Sequence, residues 1–256
     1  MSKLSADNRF LDLSDYGRPI AKWIAETLKN TSATPIHVTI AFGISGLIAV
    51  ACLLTEHYWA AGAFLILKSI LDAADGELSR VKNTPSYTGR YLDSIFDIIL
   101  NALIFATIGY ISNGSWFYTF LAFIGLQLQG TLYNYYYVIL RHKDAGGDIT
   151  SRVIEDKTPT AFEGESQRTV NVLFFFFTLF YGLFDRIIYE FDRNALQARR
   201  FPNWFMSLVS LYGLGFQLLI ITIMLALNLV TYIIPFFIFY SFLLVVFITI
   251  RRQFIA

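Results

Sequence analysis

The chain is poor in the residues that build many small sites. It has one cysteine, Cys52, so no internal disulfide can form and cysteine usage is silent on the redox compartment. Its three histidines, His37, His57 and His142, are isolated and are assigned no chemistry. Basic charge is not in surplus either. A formal net charge of +1 excludes the basic footprint of a nucleic-acid binder, so no nucleic-acid partner is expected. Residues 1–33 are polar and charged without an apolar core segment, and no cleavable signal peptide is expected. There is no internal repeat, and no low-complexity run beyond Phe174 to Phe177.

What is abundant is apolar surface. With 55% hydrophobic residues, 25 Phe and 15 Tyr among 256 residues, and a mean hydropathy of +0.53, the chain is too apolar for a soluble domain of its size. It reads as an all-α, polytopic, multi-pass integral membrane protein. A crossing helix needs about 20 mostly apolar residues, and charges mark where it stops. Six transmembrane helices are expected at 35–54, 58–76, 91–111, 116–139, 203–226 and 230–250. A seventh apolar run, 169–184, is shorter and is followed by Asp185, Arg186, Glu190, Asp192 and Arg193. The positive-inside rule decides between the two counts. With six crossings, the loops 55–57, 112–115 and 227–229 hold no Lys or Arg, and every basic residue outside the spans falls on one side. A seventh crossing would turn Arg186, Arg193, Arg199, Arg200, Arg251 and Arg252 outward. Residues 169–189 are therefore expected as an extra interfacial or re-entrant helix on the cytoplasmic side.

Ahead of the first span, Ile20, Trp23, Ile24 and Leu28 share one helical face, opposite Arg18, Lys22, Glu26 and Lys29. That pattern suits an amphipathic helix lying in the membrane interface with Trp23 as its anchor; a solvated or partner-binding helix is the alternative. The expected organisation is a cytoplasmic or interfacial segment, 1–33, and one transmembrane domain, 34–256, with a loop and interfacial insertion at 141–202.

Four aspartates interrupt this pattern. Asp72 with Asp75, and Asp93 with Asp97, sit at helical spacing at the end of the second span and the start of the third. A short connection broken by Pro85 and led by Arg80 and Lys82 makes the two helices antiparallel neighbours, so both pairs meet at one membrane depth, the cytoplasmic interface. Four anions in a partly dehydrated place repel strongly unless a cation compensates them, and Arg80 or Lys82 alone is too little. All-oxygen ligation with no His or Cys nearby points to Mg2+ or Mn2+ rather than zinc. Two such ions would suit a site that grips a diphosphate and promotes in-line displacement at phosphorus, with one carboxylate left as general base. Gly76 lets the backbone approach a ligand, Gly89 lets the two helices pack closely, and Arg80 offers a forked cation to phosphate oxygens.

The spacing D-x2-D-G-x2-A-R-x8-G-x3-D-x3-D is that of the CDP-alcohol phosphatidyltransferase family, and Asp72, Asp75, Gly76, Ser79, Arg80, Gly89, Asp93 and Asp97 resemble it at every spacing, with Ser79 in place of Ala. Thr34, Pro35, Ile36, His37, Val38 and Thr39 look like the family's Pro-Asn-x-x-Thr phrase at the first span, with Ile36 in place of Asn. The resemblance implies that Asp72, Asp75 and Asp93 bind two metal ions, and that Asp97 binds metal or serves as the catalytic base toward the acceptor alcohol. It implies that Asp72, Gly76, Ser79, Arg80 and Gly89 serve the CDP moiety, with Thr39 a further candidate. The alcohol oxygen then attacks the β-phosphorus of the CDP-linked donor and CMP leaves. CDP-diacylglycerol is the expected donor in phospholipid biosynthesis, and CDP-choline or CDP-ethanolamine with a diacylglycerol acceptor is the alternative. A homodimer is the usual assembly of such enzymes. A divalent-cation transporter is the alternative of another class, and would expect polar groups near mid-membrane on several helices.

Other residues leave more than one reading. Lys68, one turn before Asp72, could face an acceptor or lipid phosphate, pair with the carboxylates, or snorkel to the interface. Asn101, one turn beyond Asp97, could line the cavity or bond between helices. Gln127, Gln129 and Asn134 are cavity or helix-bonding candidates, and Tyr135 to Tyr137 read as an interfacial aromatic belt. Phe174 to Phe177 face lipid, pack as core or border an acyl-chain entrance. Residues 141–168, around Gly146, Gly147 and Pro159, read as a solvated loop that, with Arg193, Arg199 and Arg200, could instead cap the headgroup pocket.

Overall fold

The computed structural model describes residues 4–5, 8–144, 154–198 and 200–255. Gly146, Gly147 and Arg199 lie outside the described residues. Every regular element among the described residues is helical. A 3-10 turn at Leu13–Asp15 leads into α1 (Arg18–Leu28). Helix α2 (Pro35–Leu54) starts on strong local signals: Pro35 takes the first turn, the Thr34 hydroxyl accepts the His37 amide, and the His37 ring accepts the Thr34 amide in return. The helix pair that carries the aspartates follows, α3 (Tyr58–Lys82) and α4 (Tyr87–Ile111). Asn83, in the left-handed region at φ 53°, ends α3, and the Ser86 hydroxyl accepts the Gly89 amide to begin α4.

This pair corrects one expectation. The second span does not stop at 76: α3 runs on to Lys82, so Arg80 and Lys82 belong to the helix and only residues 83–86 connect it to α4. Charged side chains past the hydrocarbon boundary do not break a helix whose carbonyls stay bonded. Lys82 in addition donates to the carbonyls of Thr31 and Ala33 at 2.8 and 2.7 Å, which ties the end of α3 to the start of α2. Asp75 consequently lies about two turns inside α3.

The remaining helices are α5 (Trp116–Lys143), α6 (Gln167–Phe191), α7 (Asn203–Val209), α8 (Leu214–Ala226), α9 (Val230–Tyr240) and α10 (Leu243–Phe254). Among the described residues α2, α4, α6 and the α9–α10 stretch are long and apolar enough to cross a membrane, and α7 with α8, bent by 52°, makes a fifth if counted as one span. Helix α3 interrupts its apolar stretch with Lys68, Asp72 and Asp75, and α5 with Gln127, Gln129 and Asn134. The protein is a multi-pass membrane protein.

Residues 167–191 form one unbroken helix, so a re-entrant turn is not what α6 makes. Just before it, Glu165 accepts from the Ser86 hydroxyl and the Thr88 amide, both at 2.7 Å, at the start of α4. Just after it, Asp192 accepts from the Tyr136 hydroxyl at 2.7 Å and from Arg251 Nε at 2.6 Å. Phe175 and Phe176 on its outer face are exposed, whereas Phe177 is buried and Phe174 packs on Tyr91. On α1 the buried residues are Ala21 and Ala25, packed with Ala74 and Leu78 of α3, while Ile20 and Trp23 point outward. Small residues face the protein there because α1 lies close on α3. The Tyr135–Tyr137 belt is also corrected. Tyr135 and Tyr136 are buried, and their hydroxyls donate to Asp192 because α6, the residues after it and α10 cover that end of α5.

Candidate active site

Helices α3 and α4 bring Asp72, Asp75 and Asp93 together: one carboxylate oxygen of each lies within 4.8 Å of the other two. Asp75 is held from α2, where the Thr39 hydroxyl donates to its Oδ2 at 2.7 Å. Asp93 Oδ1 is buried with no protein partner among the described residues. A buried anionic oxygen without a donor calls for a cation. Three hard oxygen donors within one ion's reach and that orphaned atom fit a divalent metal, and these three aspartates could hold one.

The fourth carboxylate stands apart. Asp97 Oδ1 accepts from Lys68 Nζ at 2.6 Å. Lys68 is fully buried, with its ammonium 5.0 Å from the centre of the Phe42 ring, and so does not snorkel. Asp97 lines the adjoining cavity of about 430 Å³, whereas Lys68 does not. Of the three roles open to Lys68, the geometry places it in the pairing one and away from an acceptor pocket.

Other predicted residues divide between cavity and scaffold. Gly76, Arg80 and Asn101 line the cavity with the aspartates. A Cβ on Gly76 would meet the Arg80 guanidinium nitrogens at 3.6 and 3.7 Å, so bare backbone and a forked cation lie side by side. Arg80 bonds Glu77 at 2.9 Å, and its Nε is buried without a hydrogen-bond partner among the described residues. Ser79 and Gly89, by contrast, do not line the cavity among the described residues. The Ser79 hydroxyl donates to the Thr84 carbonyl at 2.8 Å, holding the α3–α4 turn, and the Gly89 amide is spent on the Ser86 cap. Thr39 reaches the site through Asp75. Gln127 and Asn134 line the cavity, whereas Gln129 is buried between α5, α8 and α9, bonded to Gln217 at 2.9 Å and to Ser241 at 2.9 Å.

The sequence reading missed the walls. Arg18, placed by periodicity on a polar outer face, turns inward to Asp15 and, at 3.2 Å, to Glu77. Burial opposes its charge, yet the hydrogen bond and charge of Asp15, with Glu77, hold its pKa above the ordinary arginine value. The segment ahead of it is locked in place: Tyr133 donates to Asp12 at 2.5 Å, the Leu13 amide donates to Ser210 at 2.9 Å, and Gly215 leaves room for the Ser14 carbonyl, which a side chain would strike. From the loop before α6, Glu155 pairs with Arg90 and accepts from Tyr91 at 2.9 Å, so the described part of 141–168 borders the cavity. Apart from the Arg18–Asp15 pair, which is local, these contacts join residues 59 to 197 positions apart and leave no local signal in the sequence.

A family model described as CDP-alcohol phosphatidyltransferase matches residues 33–189, a stretch that includes all four aspartates. No curated protein matches the chain.

Proposed function

The chain belongs to the CDP-alcohol phosphatidyltransferase family, whose members transfer a phosphate-linked group from a CDP-alcohol to an alcohol, and from that premise we propose that it performs this transfer on CDP-diacylglycerol with Mg2+ or Mn2+. The observation that carries the reading is the convergence of Asp72, Asp75 and Asp93 beside Gly76 and Arg80 in one cavity. Asp72, Asp75 and Asp93 hold the ions, two in number, with Asp97 as a further ligand or as the base. When bound, the metal supplies charge neutralisation at the donor's diphosphate. Arg80 binds and orients the phosphate oxygens with the part of its guanidinium that lines the cavity, and the bare backbone at Gly76 admits the nucleotide close to the helix. Lys68 holds one oxygen of Asp97, which leaves the other to take the proton from the acceptor hydroxyl as that oxygen attacks the β-phosphorus and CMP departs. Ser79 and Gly89 serve the CDP site through the turn and the helix start, and Thr39 through Asp75.

The active site lies at the cytoplasmic interface, within one transmembrane domain, 34–256, of six spans. Support for counting α6 as interfacial comes from its two anchored ends, Glu165 at the start of α4 and Asp192 at the end of α5, both on the Lys82 side of the bundle. The exposed Ile20 and Trp23 suit an interfacial α1. A homodimer is proposed from the family alone, and sedimentation in detergent checks it.

The test is incubation of purified protein with Mn2+, radiolabelled CDP-diacylglycerol and a panel of alcohols, with CMP and the lipid product both identified. Metal- and alcohol-dependent CMP release is expected. Absence of CMP release with every donor and alcohol ends the proposal.

A further inference from the structure

Resting on the transferase reading, we propose in addition that the alcohol accepted at this site carries no phosphate of its own: it is uncharged or amine-bearing. Among the described residues the cavity is faced by eight carboxylates and four guanidinium groups, with no lysine or histidine. Four of the carboxylates are the motif aspartates, which answer to the metal and to Lys68. The others, Asp12, Asp15, Glu155 and Asp185, equal in number Arg18, Arg80, Arg90 and Arg141, which leaves no positive surplus among the described residues.

Three of the four cations are also paired with carboxylates. Arg18 pairs with Asp15 and Glu77, Arg80 pairs with the same buried Glu77, Arg90 pairs with Glu155, and Arg141 lies 5.6 Å from the centre of the Tyr137 ring. Glu77 adds a carboxylate behind the lining, so the fixed charge around the cavity leans negative even with the motif set aside.

A phosphomonoester brings a charge of about −1.5 to −2 and three strong acceptor oxygens. Its recognition depends on forked guanidinium groups with donors to spare. Placing it instead among carboxylates sets like charges against one another and weakens binding. The donor diphosphate would escape that penalty because the ions that the motif aspartates would hold, together with Arg80, offset its charge. Beside the charged groups the cavity presents neutral ones, Asn101, Gln127, Thr131, Asn134 and Tyr181, which hydrogen-bond hydroxyls without requiring charge.

The test uses the purified full chain with Mn2+ and measures CMP release. Glycerol 3-phosphate and inositol 1-phosphate are compared with inositol, serine and glycerol, using CDP-diacylglycerol as donor. Diacylglycerol is compared in parallel, using CDP-choline or CDP-ethanolamine. At least one unphosphorylated acceptor is expected to exceed both phosphorylated ones by about 100-fold or more in kcat/KM. A phosphorylated alcohol as the best acceptor overturns this inference and leaves the transferase reading standing. CMP release from no combination overturns both. Glu155→Gln, which takes a carboxylate from Arg90, is expected to shift the ratio about tenfold toward the phosphorylated acceptors. A ratio unchanged in that variant overturns the charge argument.

Discussion

Two buried ion pairs in this protein share their chemistry and differ in what they leave over. At the C-terminal end, Arg251 faces both oxygens of Asp192, Tyr136 adds a further donor, and none of the three lines the cavity that holds the aspartates. In the site, Lys68 takes one oxygen of Asp97 at 2.6 Å, and Asp97 remains on the cavity wall. The forked, multiply bonded pair closes a joint between α5, the end of α6 and α10. The single-contact pair on a compact ammonium fixes a carboxylate without consuming it. A saturated pair is a structural device, whereas a half-spent one beside a cavity is available for chemistry.

The comparison breaks first at the carboxylates proposed to hold metal. Asp75→Asn is expected to abolish Mn2+ binding and reduce CMP release by at least about a thousandfold, read by Mn2+ titration alongside turnover. Asp97→Asn is expected to keep Mn2+ and CDP binding and lose about 100- to 10,000-fold in kcat, the range of a general base. Wild-type CMP release from that variant removes the base assignment. Lys68→Met is expected to lower kcat about 10- to 100-fold through a misplaced Asp97, with donor KM held and part of the loss restored in Lys68→Arg. Arg251→Met gives the opposite pattern: a loss of about 3–5 kcal/mol in stability, with turnover per folded molecule unchanged. If the two variants behave alike, the distinction between the pairs fails.

The smallest effect concerns Glu165, outside the spans. Burial works against its charge, but donors from Thr88, Ser86 and Phe162 outweigh it and hold its pKa below the ordinary glutamate value. A lowered folded pKa stabilises above the unfolded value and loses that stabilisation as pH falls through the folded one. Glu165→Gln should therefore cost about 1 kcal/mol at pH 7, as loss of a helix cap does. The gap from wild type should narrow as pH falls below the ordinary glutamate value and close once pH is below the lowered folded one, in thermal melts taken across pH.

The all-helical, multi-pass character and the four aspartates were legible because each rests on local rules: long apolar runs for a membrane chain, and three- or four-residue spacing for a shared helix face. Asp72 and Asp75 needed only α3, and Asp93 and Asp97 only α4. Lys68 was legible as a polar group on the right face, but its partner was settled by Phe42 from α2 and Asp97 from α4. Tyr135 and Tyr136 look in sequence like residues at a lipid boundary. What buries them is Asp192 and Arg251, more than 50 residues away. Arg18 was assigned to the wrong face because helix periodicity cannot see Glu77 across the α1–α3 contact.

The tethering of Asp12 to Tyr133, of the Leu13 amide to Ser210, and of Ser14 against Gly215 means that the stretch ahead of α1 is itself part of the reaction chamber's masonry. Anyone trimming the amino end to ease purification would knock out a brick there, and a shortened enzyme that still embeds in detergent micelles would have an altered chamber behind an intact exterior.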